Sequence, residues 1–231
     1  MAHRSLAPAW LSPEERPLLL RRVHSLTGAL ALGLFLLIHL WMQGQALHGW
    51  SAYAQKLRWG DLPLMPALEI LFVYLPLSYH AVAGIGFMLK PRPHFSRYPF
   101  RKNWVWALQR ITGVMTLLFI AYHFWTLRLQ VWLGTISPAD YFPRLCAQLS
   151  STNSWGIPLI AFVYLLGGAA CIAHFCNGLS GSCFLWGITR TRKQTERASL
   201  AFAAFGALLF AYFAATILFF ATGSTPVDWL S

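Results

Sequence analysis

Four histidines, His39, His80, His123 and His174, each lie inside a different apolar stretch of this sequence. Ionisable residues at membrane depth are costly and usually functional. A neutral imidazole bonds locally through one N–H and offers the lone pair of its other nitrogen to a metal. A lone histidine in an apolar helix reads as a satisfied structural group. One histidine on each of four consecutive helices points instead to paired ligation of a metal-bearing cofactor.

The elements that must carry these histidines are legible in the composition. The 231 residues are 57% hydrophobic and 11% charged, with a mean hydropathy of +0.51. A soluble domain carries about 25% charged residues. Spanning a bilayer takes roughly 20 apolar residues per helix. Five such stretches predict helices over about 23–42, 66–89, 104–128, 157–188 and 199–221, within a single membrane domain covering 1–231. The fold class expected is therefore all-α integral membrane. No stretch alternates long enough for a β-barrel. The first twenty residues carry Pro8, Pro13, Glu14, Glu15, Arg16 and Pro17, and so lack the apolar core of a secretory signal. Cys146, Cys171, Cys176 and Cys183 form no C-x-x-C and no C-x-x-C-H, which excludes a c-type haem attachment. Cys171, Cys176 and Cys183 read as small apolar residues.

Positive charge sets the expected orientation. Arg4, Arg16, Arg21 and Arg22, then Lys90, Arg92, Arg97, Arg101 and Lys102, then Arg190, Arg192, Lys193 and Arg197, make thirteen of the eighteen Lys and Arg. All fall on one side of a five-helix topology, while Lys56, Arg58, Arg128 and Arg144 fall on the other. The positive-inside rule puts the N-terminus in the cytoplasm and the C-terminus outside. Charge split between short loops argues against nucleic-acid binding.

Depth decides how the histidines pair. At the helical rise, His39 and His123 lie roughly 25 and 28 Å from the cytoplasmic edge, and His80 and His174 roughly 15 and 21 Å. This gives an outer pair, His39 with His123, and an inner pair, His80 with His174. Two pairs at two depths suit two stacked haems enclosed by helices one to four. Histidines on both faces fill both axial positions and leave electron transfer as the chemistry. A zinc site would want its ligands converging at one depth.

Other residues support this arrangement. Gly28 and Gly113 fall near the inner pair, and Gly167 and Gly168 near the outer pair, where small residues give a porphyrin clearance. Helix–helix packing explains such glycines equally well. Helices one and three echo each other, with an arginine at the edge (Arg22, Arg110) and a Thr-Gly just inside (27–28, 112–113). Arg22, Ser25 and Arg110 are candidates to bind haem propionates, with interfacial snorkelling as the alternative for the arginines. His24, at the membrane edge, and Glu69, one turn inside helix two, are candidates for a quinone site. Interfacial roles are their alternatives. Trp41, Trp50, Trp59, Trp104, Trp125 and Trp155 fit an aromatic belt. No role is assigned to His3, His48 or His94, nor to the long outer loop of about 130–156 beyond covering the distal side.

The runs Arg-Arg-Val-His-Ser-Leu-Thr-Gly (21–28) leading to Leu-Ile-His39-Leu, Leu-Gln-Arg-Ile-Thr-Gly (108–113) leading to Tyr-His123, and His174-Phe-Cys-Asn-Gly-Leu followed by Trp186-Gly-Ile-Thr resemble the cytochrome b subunit of succinate:quinone oxidoreductases. The likeness is to the single-subunit, five-helix, di-haem type, over about 18–221. It implies His80 and His174 as ligands of a proximal haem b, and His39 and His123 as ligands of a distal one. It also implies a flavoprotein subunit and an iron–sulfur subunit on the cytoplasmic side, where succinate chemistry occurs, and a quinone, commonly menaquinone. The location implied is a bacterial cytoplasmic membrane, and a higher oligomer of the complex stays open.

Some fumarate reductases of this kind carry a glutamate in helix five, which the stretch 199–221 lacks, so a compensating proton path is not expected. Succinate oxidation is the first reading of direction and fumarate reduction the second. A haem-free membrane anchor, a histidine-relay transporter, and the quinone module of a hydrogenase or formate dehydrogenase are the readings from other classes.

Overall fold

A computed structural model describes residues 15–57, 63–89 and 101–223, with side chains from Arg16 to Lys56 in the first segment and from Trp104 in the third. Arg4, His3, Arg58, Trp59, Lys90, Arg92, His94 and Arg97 lie outside the described residues, as do the side chains of Arg101 and Lys102. Five helices are long and apolar enough to cross a membrane: Arg16–His48, Met65–Met88, Trp104–Trp132, Leu159–Leu185 and Arg192–Thr222. They are called helices one to five below. In lipid every backbone N–H and C=O must be answered within the segment, which leaves helices as the natural solution for such runs.

The helices differ from the sequence expectation chiefly at their polar ends. Helix one is already helical from Glu15. Helix five starts at Arg192, seven residues before Ser199, because Thr191 and Gln194 close a reciprocal capping box. Its first two turns therefore carry Arg192, Lys193, Glu196 and Arg197, which hydropathy alone assigns to a loop. It ends where Gly223 adopts a left-handed φ of 72°, a conformation glycine reaches without steric cost. These charges and Arg16, Arg21 and Arg22 mark one end of the bundle, the basic end; the opposite one is the far end.

Helices one, two and three each contain one wide π turn, at Thr27–Leu32, Ile70–Tyr74 and Phe124–Arg128. The second lies directly before Pro76, whose ring would press on the carbonyl four residues back in a regular helix. Widening the preceding turn relieves that clash.

Helix four is the most buried of the five and packs between helices three and five. Most of its buried positions are small, namely Ala161, Gly167, Gly168, Ala170, Cys176 and Ser180, with Tyr164 and Ile172 the large ones. Small residues let membrane helices approach closely, and hydroxyls join them. Gly206 of helix five sits against Cys176, and Ser180 shares a 2.7 Å hydrogen bond with Ser199. The reading of Cys176 as a small apolar residue agrees with its 4% exposure. Outward positions are large and apolar, among them Leu34, Val82, Leu118, Leu166 and Leu208. An apolar surface this continuous is a membrane-facing surface.

Two short helices cover the far end, Trp50–Leu57 and Tyr141–Ser150. The second occupies the long outer loop. Tyr53 and Leu149 are fully buried between them and helices four and five. The Tyr53 hydroxyl donates to Gln43 Oε1 at 2.9 Å, and its ring packs on Phe142 and Phe220. Burial pushes the Cys146 thiol up in this cap, which keeps it a protonated, inert side chain.

A Cβ at Gly206 would lie 3.1 Å from Cys176 Sγ. Gly206→Leu is expected to cost about 1–3 kcal/mol by overpacking. Thermal unfolding in detergent measures this, and an unchanged midpoint would contradict the packing described.

Candidate functional site

The four intramembrane histidines meet in two pairs. His80 of helix two faces His174 of helix four, with ring centroids 6.2 Å apart and planes at 87°. His39 of helix one faces His123 of helix three at 5.8 Å and 81°. The first pair sits beside the start of helix one, near the basic end, and the second lies further along.

Each imidazole of the first pair rests in a cradle made by a neighbouring helix. His80 Nδ1 lies 3.0 Å from the carbonyl oxygen of His24 and 3.3 Å from Thr27 Oγ1. His174 Nδ1 lies 3.0 Å from the carbonyl oxygen of Gln109 and 3.5 Å from Thr112 Oγ1. A carbonyl carries no proton, so Nδ1–H is the donor in both rings and Nε2 keeps its lone pair. The Gln109 side-chain amide nitrogen approaches His174 Nε2 at 3.4 Å, as a donor near a lone pair would. The two glycines complete the cradles. A Cβ on Gly28 would collide with the His80 ring, and one on Gly113 would lie 2.9 Å from His174 Cε1.

The second pair is held differently. His123 Nδ1 lies 3.3 Å from the Tyr164 hydroxyl, and Phe119 stacks on the same ring at 5.8 Å. Phe35 stacks on His39 at 5.4 Å. Gly167 faces Phe119 and Gly168 faces Phe213 of helix five, so the room these two glycines leave is filled by aromatic rings.

The remaining candidates gather at the basic end or lie apart. His24 stacks on His80 at 3.8 Å, and its Nδ1 is buried with no hydrogen-bond partner. Ser25 donates to Ser182 Oγ at 2.7 Å and accepts from Trp186 Nε1 at 3.3 Å, with the Arg22 guanidinium 5.5 Å over the Trp186 ring. Arg110 donates to the Phe87 carbonyl at 3.2 Å and stacks on Trp106. Glu69 is far from all of these. It accepts two hydrogen bonds from Arg128, at 2.6 and 3.1 Å, where the π turns of helices two and three adjoin.

A model of the succinate dehydrogenase/fumarate reductase transmembrane subunit family matches residues 88–216. The succinate dehydrogenase cytochrome b558 subunit of Bacillus subtilis (strain 168) is 35% identical over 175 residues, covering 75% of this chain and 82% of that protein. The chain belongs to this family. It is accordingly the membrane subunit of such a complex, and the resemblance stated from its motifs is the family found.

Sequence reasoning missed several members of this family member's polar interior. Gln109 stood inside a quoted motif without a role, although Gln109-x-x-Thr-Gly repeats His24-x-x-Thr-Gly. Tyr164 had no signal beyond its type. Arg128 was counted only as an outer charge at the end of helix three, and its bond to Glu69 was not foreseen. Arg144 and Gln148, one turn apart on the far-end helix Tyr141–Ser150, each bury an unpartnered atom, Nε and Oε1. Arg144 also lies within electrostatic range of Tyr164.

The Glu69–Arg128 pair is about one-fifth exposed on each side chain. Removing one partner strands the other, at about 1–3 kcal/mol or more for a charged group. Arg128→Met alone is expected to lower the detergent unfolding midpoint more than Glu69→Gln/Arg128→Met together. Equal destabilisation by the single and the double variant would contradict this.

Proposed function

We propose that this chain binds two b-type haems and anchors a succinate dehydrogenase to a bacterial cytoplasmic membrane. In this reading it passes electrons between the iron–sulfur subunit and a quinone, menaquinone in particular. The carrying observation is the two facing imidazole pairs. A metal–nitrogen bond of about 2.0–2.1 Å on each side calls for ring centroids roughly 6 Å apart, and the pairs stand at 6.2 and 5.8 Å.

The residues fit the group in three further ways. The carbonyls of His24 and Gln109 hold the Nδ1 protons of one pair, which presents Nε2 to iron and fixes the ring tautomer. Gly28 and Gly113 clear space beside that pair, where any Cβ would intrude on an imidazole. Buried, unpartnered polar atoms lie toward both ends: His24 Nδ1 at the basic end and Arg144 Nε at the far end. Buried polar groups demand partners, and haem propionates are carboxylates of the right chemistry. Arg22, Ser25 and Arg110 are the proposed propionate-binding residues at the basic end. When bound, the haems supply one-electron transfer, with both axial positions occupied by histidine.

His80 and His174 are the proposed ligands nearer the iron–sulfur subunit, and His39 and His123 those further away. The basic end supports this orientation, since positive charge concentrates on the cytoplasmic side and suits docking of the flavoprotein and iron–sulfur partners. Glu69 is the proposed proton-accepting group for a quinol at the far side. Its carboxylate is oriented by the two hydrogen bonds from Arg128. His24 is the corresponding candidate at the near side. The name of the Bacillus relative supports succinate oxidation as the direction.

A pyridine haemochrome assay on the purified complex tests this reading. Two haems b per chain are expected. His80→Ala or His174→Ala should each remove or uncouple one haem and leave the other's spectrum intact, and His39→Ala and His123→Ala should do the converse. One haem in the intact protein, or equal loss of both from a single variant, would overturn the pairing. A second set of variants checks the cradles. Gly28→Val and Gly113→Val should reduce the haem bound at the His80–His174 pair alone, and full occupancy in both would contradict their role.

A further inference from the structure

We propose that Thr27 and Thr112 are positioning residues that hold the His80 and His174 imidazoles nearly perpendicular to each other. This rests on reading those histidines as the axial ligands of one haem. The segments His24-Ser-Leu-Thr27-Gly28 and Gln109-Arg-Ile-Thr112-Gly113 repeat one device on helices one and three. The residue four before the glycine gives its carbonyl to the facing imidazole at 3.0 Å in both cases. The threonine just before the glycine sets its hydroxyl oxygen 3.3 Å from His80 Nδ1 and 3.5 Å from His174 Nδ1.

Each hydroxyl proton is spent on the backbone. Thr27 donates to the His24 carbonyl at 2.9 Å, and Thr112 to the Leu108 carbonyl at 2.7 Å. The hydroxyl lone pairs are therefore free to face Nδ1–H. Two acceptors beside a single donor restrict rotation of the ring, because turning toward one lengthens the other. The glycine allows the ring to sit against the backbone while this happens. The same device acting from helix one on helix two and from helix three on helix four leaves the two planes at 87°. His39 and His123 also stand near perpendicular, at 81°, but Tyr164, Phe35 and Phe119 hold them. A change at either threonine therefore acts on one pair only.

Perpendicular axial imidazoles direct their π orbitals at different iron d orbitals. Those orbitals then stay close in energy, and the low-spin ferric ion shows a strongly anisotropic electron paramagnetic resonance signal. Parallel planes split the orbitals and shrink the anisotropy.

The test uses the oxidised, purified complex at low temperature, with haem counted in the same sample. Two haems per chain in the wild type establish the underlying reading, so fewer would fault that reading rather than this one. In the wild type, two strongly anisotropic lines are expected. Thr27→Val should move the lowest-field line of one haem to a smaller g value and leave the other line in place. Thr112→Val should move the same line. Thr27→Ser and Thr112→Ser keep the hydroxyl and should restore the wild-type line. Unmoved lines in both valine variants at full haem content would overturn the proposal. Movement of both haems' lines together would do so as well. If a valine variant fails to assemble, its serine counterpart decides: a wild-type line supports the hydroxyl's role, and a shifted line contradicts it.

Discussion

A neutral imidazole has one N–H and one lone pair, and an apolar membrane interior answers neither. Everything else in this bundle follows from placing four such rings there. For two of them the neighbouring helices give a carbonyl to the N–H, and a glycine lets that carbonyl come within reach. His123 Nδ1 instead lies beside a tyrosine hydroxyl, and the ring is wedged by aromatic stacking. Satisfying the Nδ1–H of His80 and His174 is what leaves Nε2 of each ring with its lone pair. Without that constraint the pairs would be polar groups in search of any donor.

The bundle is arranged to bring these demands to the right depths. Helices one and three run the same way and carry the same Thr-Gly element near the basic end. Helices two and four run back past it and bring His80 and His174 opposite. Helix four can serve both neighbours because most of its buried positions are small, and Gly206 of helix five seats against its Cys176. The far end is closed by the short helices that bury Tyr53 and Leu149. One of them carries Arg144 and Gln148 toward the second histidine pair.

Much of this was legible in the sequence, for physical reasons. Membrane helices announce themselves by length and hydropathy, and helical rise is regular enough to sort four histidines into two levels. The pairs found are those that depth assigns. What escaped was local or lateral. Capping by Thr191 and Gln194 extends helix five through a charged run that hydropathy rejects. A π turn changes the facing of Arg128, so its bond to Glu69 cannot be read from spacing. Gly167 and Gly168 stand at the depth expected of haem clearance, yet depth says nothing of azimuth, and they face Phe119 and Phe213. Gln109 was visible only as a letter in a motif. Its role depends on a backbone carbonyl, and any residue type supplies one.

The central claim is that histidine fills both axial positions at both pairs. The direct test is the carbon monoxide difference spectrum of the dithionite-reduced complex, scaled to its haem content. With both positions taken, the gas finds no open iron, and the account predicts no shift of the Soret band. A carbon monoxide spectrum corresponding to half of the haem or more would mean that at least one pair does not ligate as described, and would contradict the account.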